Sequence, residues 1–126
     1  MKRTLRTLSI RSVAPRTVRD QAEVDTPVVR RLGALDLSGP SGVVYGVEST
    51  ELNANLVVLS AGDSIDHHRN DEVDVLMVVL TGSAELHLDG TAHALEPDMV
   101  VLIPRRATRG INALTRTTYY SVHRRL

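Results

Sequence analysis

The chain has no cysteine, no phenylalanine and no tryptophan among its 126 residues. Without thiols it has no disulfide framework, no zinc-thiolate site and no cysteine nucleophile, which suits a reducing compartment, and a cytoplasmic location is expected. The aromatics are Tyr45, Tyr119 and Tyr120 alone. So few rings give nucleic-acid bases little to stack on, and no helix-turn-helix or other reader motif is present, so nucleic acid is not an expected partner. Long apolar runs are missing too. The longest, residues 75–80, is far short of the roughly 18 that a membrane helix needs, and no membrane partner is expected. Met1-Lys2-Arg3 opens like a secretion signal, but Thr4, Arg6, Thr7, Ser9 and Arg11 interrupt the apolar stretch that would have to follow, and no leader is read.

Formal charge is balanced, with 15 basic and 15 acidic residues, but it is segregated along the chain. Residues 1–31 carry eight basic and three acidic groups, residues 32–104 one basic and twelve acidic, and residues 105–126 six arginines and no acid. Basic ends therefore oppose an acidic middle, and the favoured reading is that they lie against it, in the same subunit or a neighbour. A role as a regulatory partner that contacts an acidic surface through its basic termini is the other use of this pattern.

The length suits one domain with a single core. Residues 1–31 are polar and arginine-rich, with Pro15 and Pro27 as breakers, and read as an arm in which a short strand over residues 4–10 would pair with something else. After the turn cluster Ser38-Gly39-Pro40-Ser41-Gly42, residues 32–126 become a succession of β-rich runs: 43–48, 52–59, 73–80, 84–88, 91–95, 99–103, 108–111 and 117–122. Asp89-Gly90 predicts a two-residue type I′ hairpin, because both residues tolerate positive φ. Short strands with regular turns and no amphipathic helix indicate an all-β sandwich or barrel. Residues 75–80 are apolar on both faces, so this strand should be covered on one side by the barrel interior and on the other by a second sheet or subunit. That pattern makes a homodimer the expected assembly.

One segment has a recognisable frame. Gly62 is followed by five residues and His68, then one residue and Asn70, four residues and Val75, and six residues and Gly82. Downstream, Gly90 precedes Pro97, and Val100-Val-Leu-Ile-Pro104 leads through a turn to Arg109. This frame resembles the two motifs of the cupin family over residues 43–123, and the resemblance implies a jelly-roll barrel, also called a double-stranded β-helix. Cupins carry out many reactions, including dioxygenation, isomerisation and decarboxylation, and some only sense ligands, so activity must come from the site. The resemblance implies a divalent ion held by three imidazoles and a carboxylate. Here the four ligand positions are His68, Asn70, Val75 and Arg109.

An imidazole, an amide, a hydrocarbon and a cation do not make that donor set. His67 cannot simply replace a ligand, because neighbouring strand residues point to opposite faces. A one-residue register shift would bring Asp74 toward the acid position, at the cost of exchanging the faces of the apolar residues that follow. The expectation is therefore a barrel that binds a small organic molecule through His68, Asn70, Arg109 and Tyr119 or Tyr120, in a binding or sensing role with no cofactor. The alternative is an enzyme in which a divalent metal ion is held by His68 with Asp74 or Glu72 and His67, while Arg109 orients a carboxylate substrate. His87, His93 and His123 read as surface residues. No nucleophile elbow, phosphate loop or His-Glu-x-x-His helix occurs.

Overall fold

The computed structural model describes residues 20–126 and, before them, the backbone of Thr7–Leu8. Ten strands follow in order: β1 (Thr7–Leu8), β2 (Gly42–Glu48), β3 (Leu52–Leu59), β4 (Ser64–Arg69), β5 (Val75–Thr81), β6 (Ala84–Leu88), β7 (Thr91–Leu95), β8 (Val100–Ile103), β9 (Thr108–Ala113) and β10 (Thr117–Arg124). One short 3₁₀ turn, Leu32–Ala34, is the sole helical element of the described residues. All eight runs read from the sequence are strands. The one not foreseen is β4, whose Ser-Ile-Asp-His-His-Arg carries a single apolar residue and so gives no hydrophobic alternation.

Two five-stranded sheets face each other. The first has the order β1-β4-β9-β6-β7, and the second β2-β3-β10-β5-β8. Apart from β1, which runs parallel to β4, pairing is antiparallel and nested: β3 with β10, β4 with β9, β5 with β8, and β6 with β7. The chain thus folds back on itself as one long hairpin wound into two sheets, which is the expected jelly roll. Thr7–Leu8 falls inside the strand anticipated over residues 4–10; the rest of that segment lies outside the described residues.

Tight turns fix the register. Asp89 and Gly90 have φ of 49° and 83°, the left-handed pair that a type I′ turn demands. Gly82 ends the motif frame at φ 84°, and a Cβ there would run into the Arg116 carbonyl and stand 2.7 Å from Thr117 Cα. That glycine is required by backbone approach as well as by φ.

Inward rows of both sheets form the main core, with Leu59, Val79, Leu86, Leu95, Ile103 and Tyr119 at most 2% exposed. Each fully buried aliphatic side chain contributes roughly 1.5–3 kcal/mol by leaving water. A second, smaller core lies outside the second sheet, where Val44, Tyr45, Leu56 and Val58 are covered by Ala22, Val28, Leu32, Leu35 and Leu37. This strap is tied by Ala22 N–H to the Gly46 carbonyl (3.0 Å) and Gly46 N–H to the Asp20 carbonyl (2.8 Å). Asp25 accepts from the Thr50 hydroxyl and N–H, both at 2.7 Å, and these bonds hold its carboxyl below the usual range. The strap runs across residue 31 without a break, so the described end of the arm and the start of the barrel region act as one covering segment.

The strap covers only half of that outer face. Leu76 on β5 and Val100 and Leu102 on β8 are 43%, 63% and 60% exposed, so the outer side of residues 75–80 is covered at Leu80, which packs on the outer core, and left open at Leu76 by the described residues of its own chain. The charge expectation is met where Arg125 reaches Glu48 at 3.6 Å on the surface. An exposed pair of this kind contributes at most about 1 kcal/mol. No helix of the described residues is long and apolar enough to cross a membrane.

Candidate functional site

Along β10 the inward row is Thr117, Tyr119, Ser121 and His123, because strand side chains alternate. In register beside it on β3 are Leu59 opposite Thr117 and Asn55 opposite Ser121. At the Leu59 end the facing sheets fill the space between them with side chains. At the Asn55 end they leave a cavity of about 330 Å³, at the lower end of the size of small-molecule sites. Ile65, Val75, Met77, Leu86, Ile103 and Ile111 make its apolar wall. Polar groups enter from both sheets.

From the first sheet come His68 and Arg109, directly paired across β4 and β9. Arg109 is only 7% exposed, and among its contacts Nη1 donates to the Ala107 carbonyl at 3.3 Å. A guanidinium cannot shed its charge, so its burial beside the cavity requires acceptors close to it. His68 is half-buried, and its Nδ1 lies 2.9 Å from the Asp66 carbonyl. Since a carbonyl only accepts, Nδ1 is the donor, and in the neutral ring Nε2 carries the lone pair. From the second sheet come Asn55, Ser121 and His123. Arg69 at the end of β4 and Asn70, Asp71 and Glu72 in the loop after it stand at the rim.

The expected binding set is only partly brought together. His68, Asn70, Arg109 and Tyr119 border the cavity, but the Asn70 amide is already engaged, since its Oδ1 accepts from the N–H groups of Glu72 (2.8 Å) and Val73 (3.1 Å). This side-chain-closed turn takes the amide oxygen that would otherwise face a ligand or ion. Tyr120 is corrected outright. It points away from the barrel interior and packs in the outer core beside the strap, where burial and then the neighbouring Tyr45 raise its phenol above the usual range. Tyr119 faces inward at 1% exposure, and burial pushes its phenol well up. Its hydroxyl has no hydrogen-bond partner among the described residues.

The metal set divides between faces. His68 and Glu72 border the cavity, whereas His67 lies outside, against Gly110, where a Cβ would be 2.9 Å from its Nδ1. Its ring is 5.6 Å from that of His87, which in turn contacts Glu85 at 2.8 Å. Asp74 is also outside, with Oδ1 accepting from Arg105 N–H at 2.8 Å. Val75 keeps the inward position and pairs with Ile103, so the register shift that would admit Asp74 is not taken. Among the described residues no three His, Cys, Asp or Glu side chains stand where they could hold an ion together. The four ligand positions of the frame offer one imidazole, an amide oxygen already in use, a hydrocarbon and a cation, and this donor set does not fit a divalent metal.

Asn55, Ser121 and His123 are missing from the sequence reading of the site. The signal that could have found two of them is period-two alternation from Tyr119, which puts residues 121 and 123 on the same face. Asn55 needs the β3–β10 register, which sequence alone does not supply.

No family model matches the chain and no curated protein resembles it closely enough to match. Solved structures do match. The cupin domain of Cnp3 from Schizosaccharomyces pombe is 19% identical over 77% of this chain and 73% of that one, with a TM-score of 0.67. The chain has the cupin fold. Two further matches bear names of enzymes: a variant of the salicylate 1,2-dioxygenase from Pseudoaminobacter salicylatoxidans (19% identity, 60% of this chain, TM-score 0.56) and a candidate sugar phosphate isomerase from Acidithiobacillus ferrooxidans (18%, 60%, 0.57). The chain spans 22% of the dioxygenase and 51% of the isomerase. At these identities the shared property is the cupin barrel, and its binding or catalytic use is decided by the side chains within it.

Proposed function

We propose that this cupin barrel binds a small organic anion without a divalent ion, in a binding or sensing role. The observation that carries the reading is Arg109, a permanently charged side chain buried at a cavity whose wall is otherwise largely apolar, with His68 beside it across the strand pair. A buried guanidinium matched by a ligand carboxylate gains a charge-assisted, two-pronged hydrogen bond in a low-dielectric setting. The apolar wall then adds non-directional affinity for the ligand's carbon skeleton. The separation of His67 and Asp74 from the cavity weighs against the metal-dependent enzyme reading.

Metal content tests this reading. Protein purified without chelator should carry far less than one transition-metal ion per chain by plasma mass spectrometry, and manganese, iron, nickel or zinc salts should leave its melting temperature unchanged, since any ion that prefers the folded state must raise it. Near-stoichiometric metal that is lost in His68→Ala would contradict the proposal.

A further inference from the structure

The two walls of the cavity differ in kind. The first sheet contributes the guanidinium of Arg109 beside the imidazole of His68, while the second contributes neutral hydrogen-bonding groups, with Ser121 directly opposite Asn55 in the β10–β3 register. Ser121 is 8% exposed, a buried hydroxyl whose side chain stands in the inward row. Asn55 donates from Nδ2 to Asn53 Oδ1 at 2.9 Å, which orients the amide and leaves its own oxygen as an acceptor beside Ser121. Between these poles the lining is aliphatic: Ile65, Val75, Met77 and Ile111.

Charge at the rim narrows the anion. Arg69 is engaged by Asp71, Nε to Oδ1 at 2.7 Å, and so adds little net positive charge. Glu72 also borders the cavity. A second carboxylate on the ligand would meet Glu72 without a second buried guanidinium to balance it, and like charges in a partly desolvated site repel. Volume sets the size, since 330 Å³ holds on the order of ten heavy atoms if each takes about the ~30 Å³ share of a water.

We infer that the ligand is a small monocarboxylate bearing a hydroxyl at its far end, the carboxylate on Arg109 and the far hydroxyl between the Ser121 hydroxyl and the Asn55 amide oxygen. This inference rests on the anion-binding reading above and adds a second pole to it. Neutral hydrogen bonds at Ser121 and Asn55 give preference among acids, while the charged pole gives binding of acids in general. The two contributions are separable.

The test uses three probes of one skeleton, 6-hydroxyhexanoate, hexanoate and hexanol, titrated into the full chain by calorimetry with ligand-observed NMR for weak binding. The wild type should bind 6-hydroxyhexanoate roughly two- to tenfold more tightly than hexanoate, the range of one net hydrogen bond, and both acids should outbind hexanol. Ser121→Ala should erase the preference for the hydroxy acid and leave hexanoate binding as it was. Arg109→Gln should weaken both acids tenfold or more, and Arg109→Lys should recover part of that loss, which guards against a variant that merely misfolds. Acids that bind through Arg109 with no hydroxyl preference, or a preference that survives Ser121→Ala, would overturn the two-pole inference while sparing anion binding. If neither acid outbinds hexanol, or if acid binding is indifferent to Arg109, both fall.

Discussion

The two ends of the barrel are built from the same strands yet do opposite things. Four residues separate Leu59 from Asn55 on β3, Val79 from Val75 on β5, Ala113 from Arg109 on β9, and Thr117 from Ser121 on β10, a shift of about 13 Å along each strand. At the first of each pair the sheets are filled: Leu59, Val79 and Thr117 are 0% exposed, and even the Thr117 hydroxyl is satisfied, within 3.0 Å of the Ser83 carbonyl and 2.9 Å of the Thr115 carbonyl. At the second the sheets leave a cavity whose largely apolar wall carries a few polar groups. Packing at the closed end secures the barrel, which leaves the open end free to keep polar residues; on the proposed anion-binding reading, stability and binding are drawn from different ends of each strand.

The largest effect that would break this comparison lies at the closed end. Leu59→Ala should cost about 2–5 kcal/mol of unfolding free energy in urea, the range for a large-to-small change in a filled core. Ser121→Ala at the open end should cost less than about 1 kcal/mol, because a hydroxyl bordering a cavity gives up little packing. Equal costs at both positions would show that the ends do not differ.

Tyr119 sits between the two regimes and should respond in an intermediate way. Its buried hydroxyl has no partner among the described residues, so Tyr119→Phe should leave stability unchanged or raise it by up to about 1–3 kcal/mol, since an unsatisfied buried hydroxyl is a cost. Its raised phenol gives a sign for pH. The unfolded chain loses this proton near pH 10, before the folded one does, so above that pH stability falls as pH rises. The fall should be shallower in Tyr119→Phe, measured by urea unfolding between pH 8 and 11. An equal slope would show that Tyr119 is not the group responsible.

The smallest effect is expected outside the barrel. Leu102→Ser on the exposed outer face of β8 should change the stability of the isolated chain by no more than about 0.5 kcal/mol. Light scattering on both proteins extends that comparison to assembly. A dimer that dissociates in the variant would show that a second copy covers this face, as the double-sided apolar pattern of residues 75–80 led one to expect; an assembly unchanged by the variant would place any interface elsewhere.

Most of the barrel was legible because turns and alternation are local signals. Asp89-Gly90 and the Gly62 to Gly82 frame specify backbone conformations that few other residues adopt, and Gly82 is held there by the approaching Arg116 carbonyl. β4 was not legible as a run, since a strand that faces a polar cavity on one side and solvent on the other has little reason to be apolar. The site was legible on one strand pair: His68 and Arg109 come from the motif frame and do meet across β4 and β9. Its other wall was hidden, because Asn55 and Ser121 are brought together by a long-range register with no spacing of its own. Asn70 shows the opposite error. The amide at this ligand position closes its own loop, a use that Asn-Asp-Glu favours for reasons of turn chemistry.

The central claim is that the open end of this cupin barrel takes an organic anion on Arg109 in place of a metal ion. Its most direct test is a crystal structure grown with 6-hydroxyhexanoate and recorded with anomalous data at the manganese, iron, nickel and zinc edges. The account predicts a carboxylate within hydrogen-bond distance of the Arg109 guanidinium and no anomalous peak beside His68. An anomalous peak bound to His68, with no carboxylate at Arg109, would contradict it.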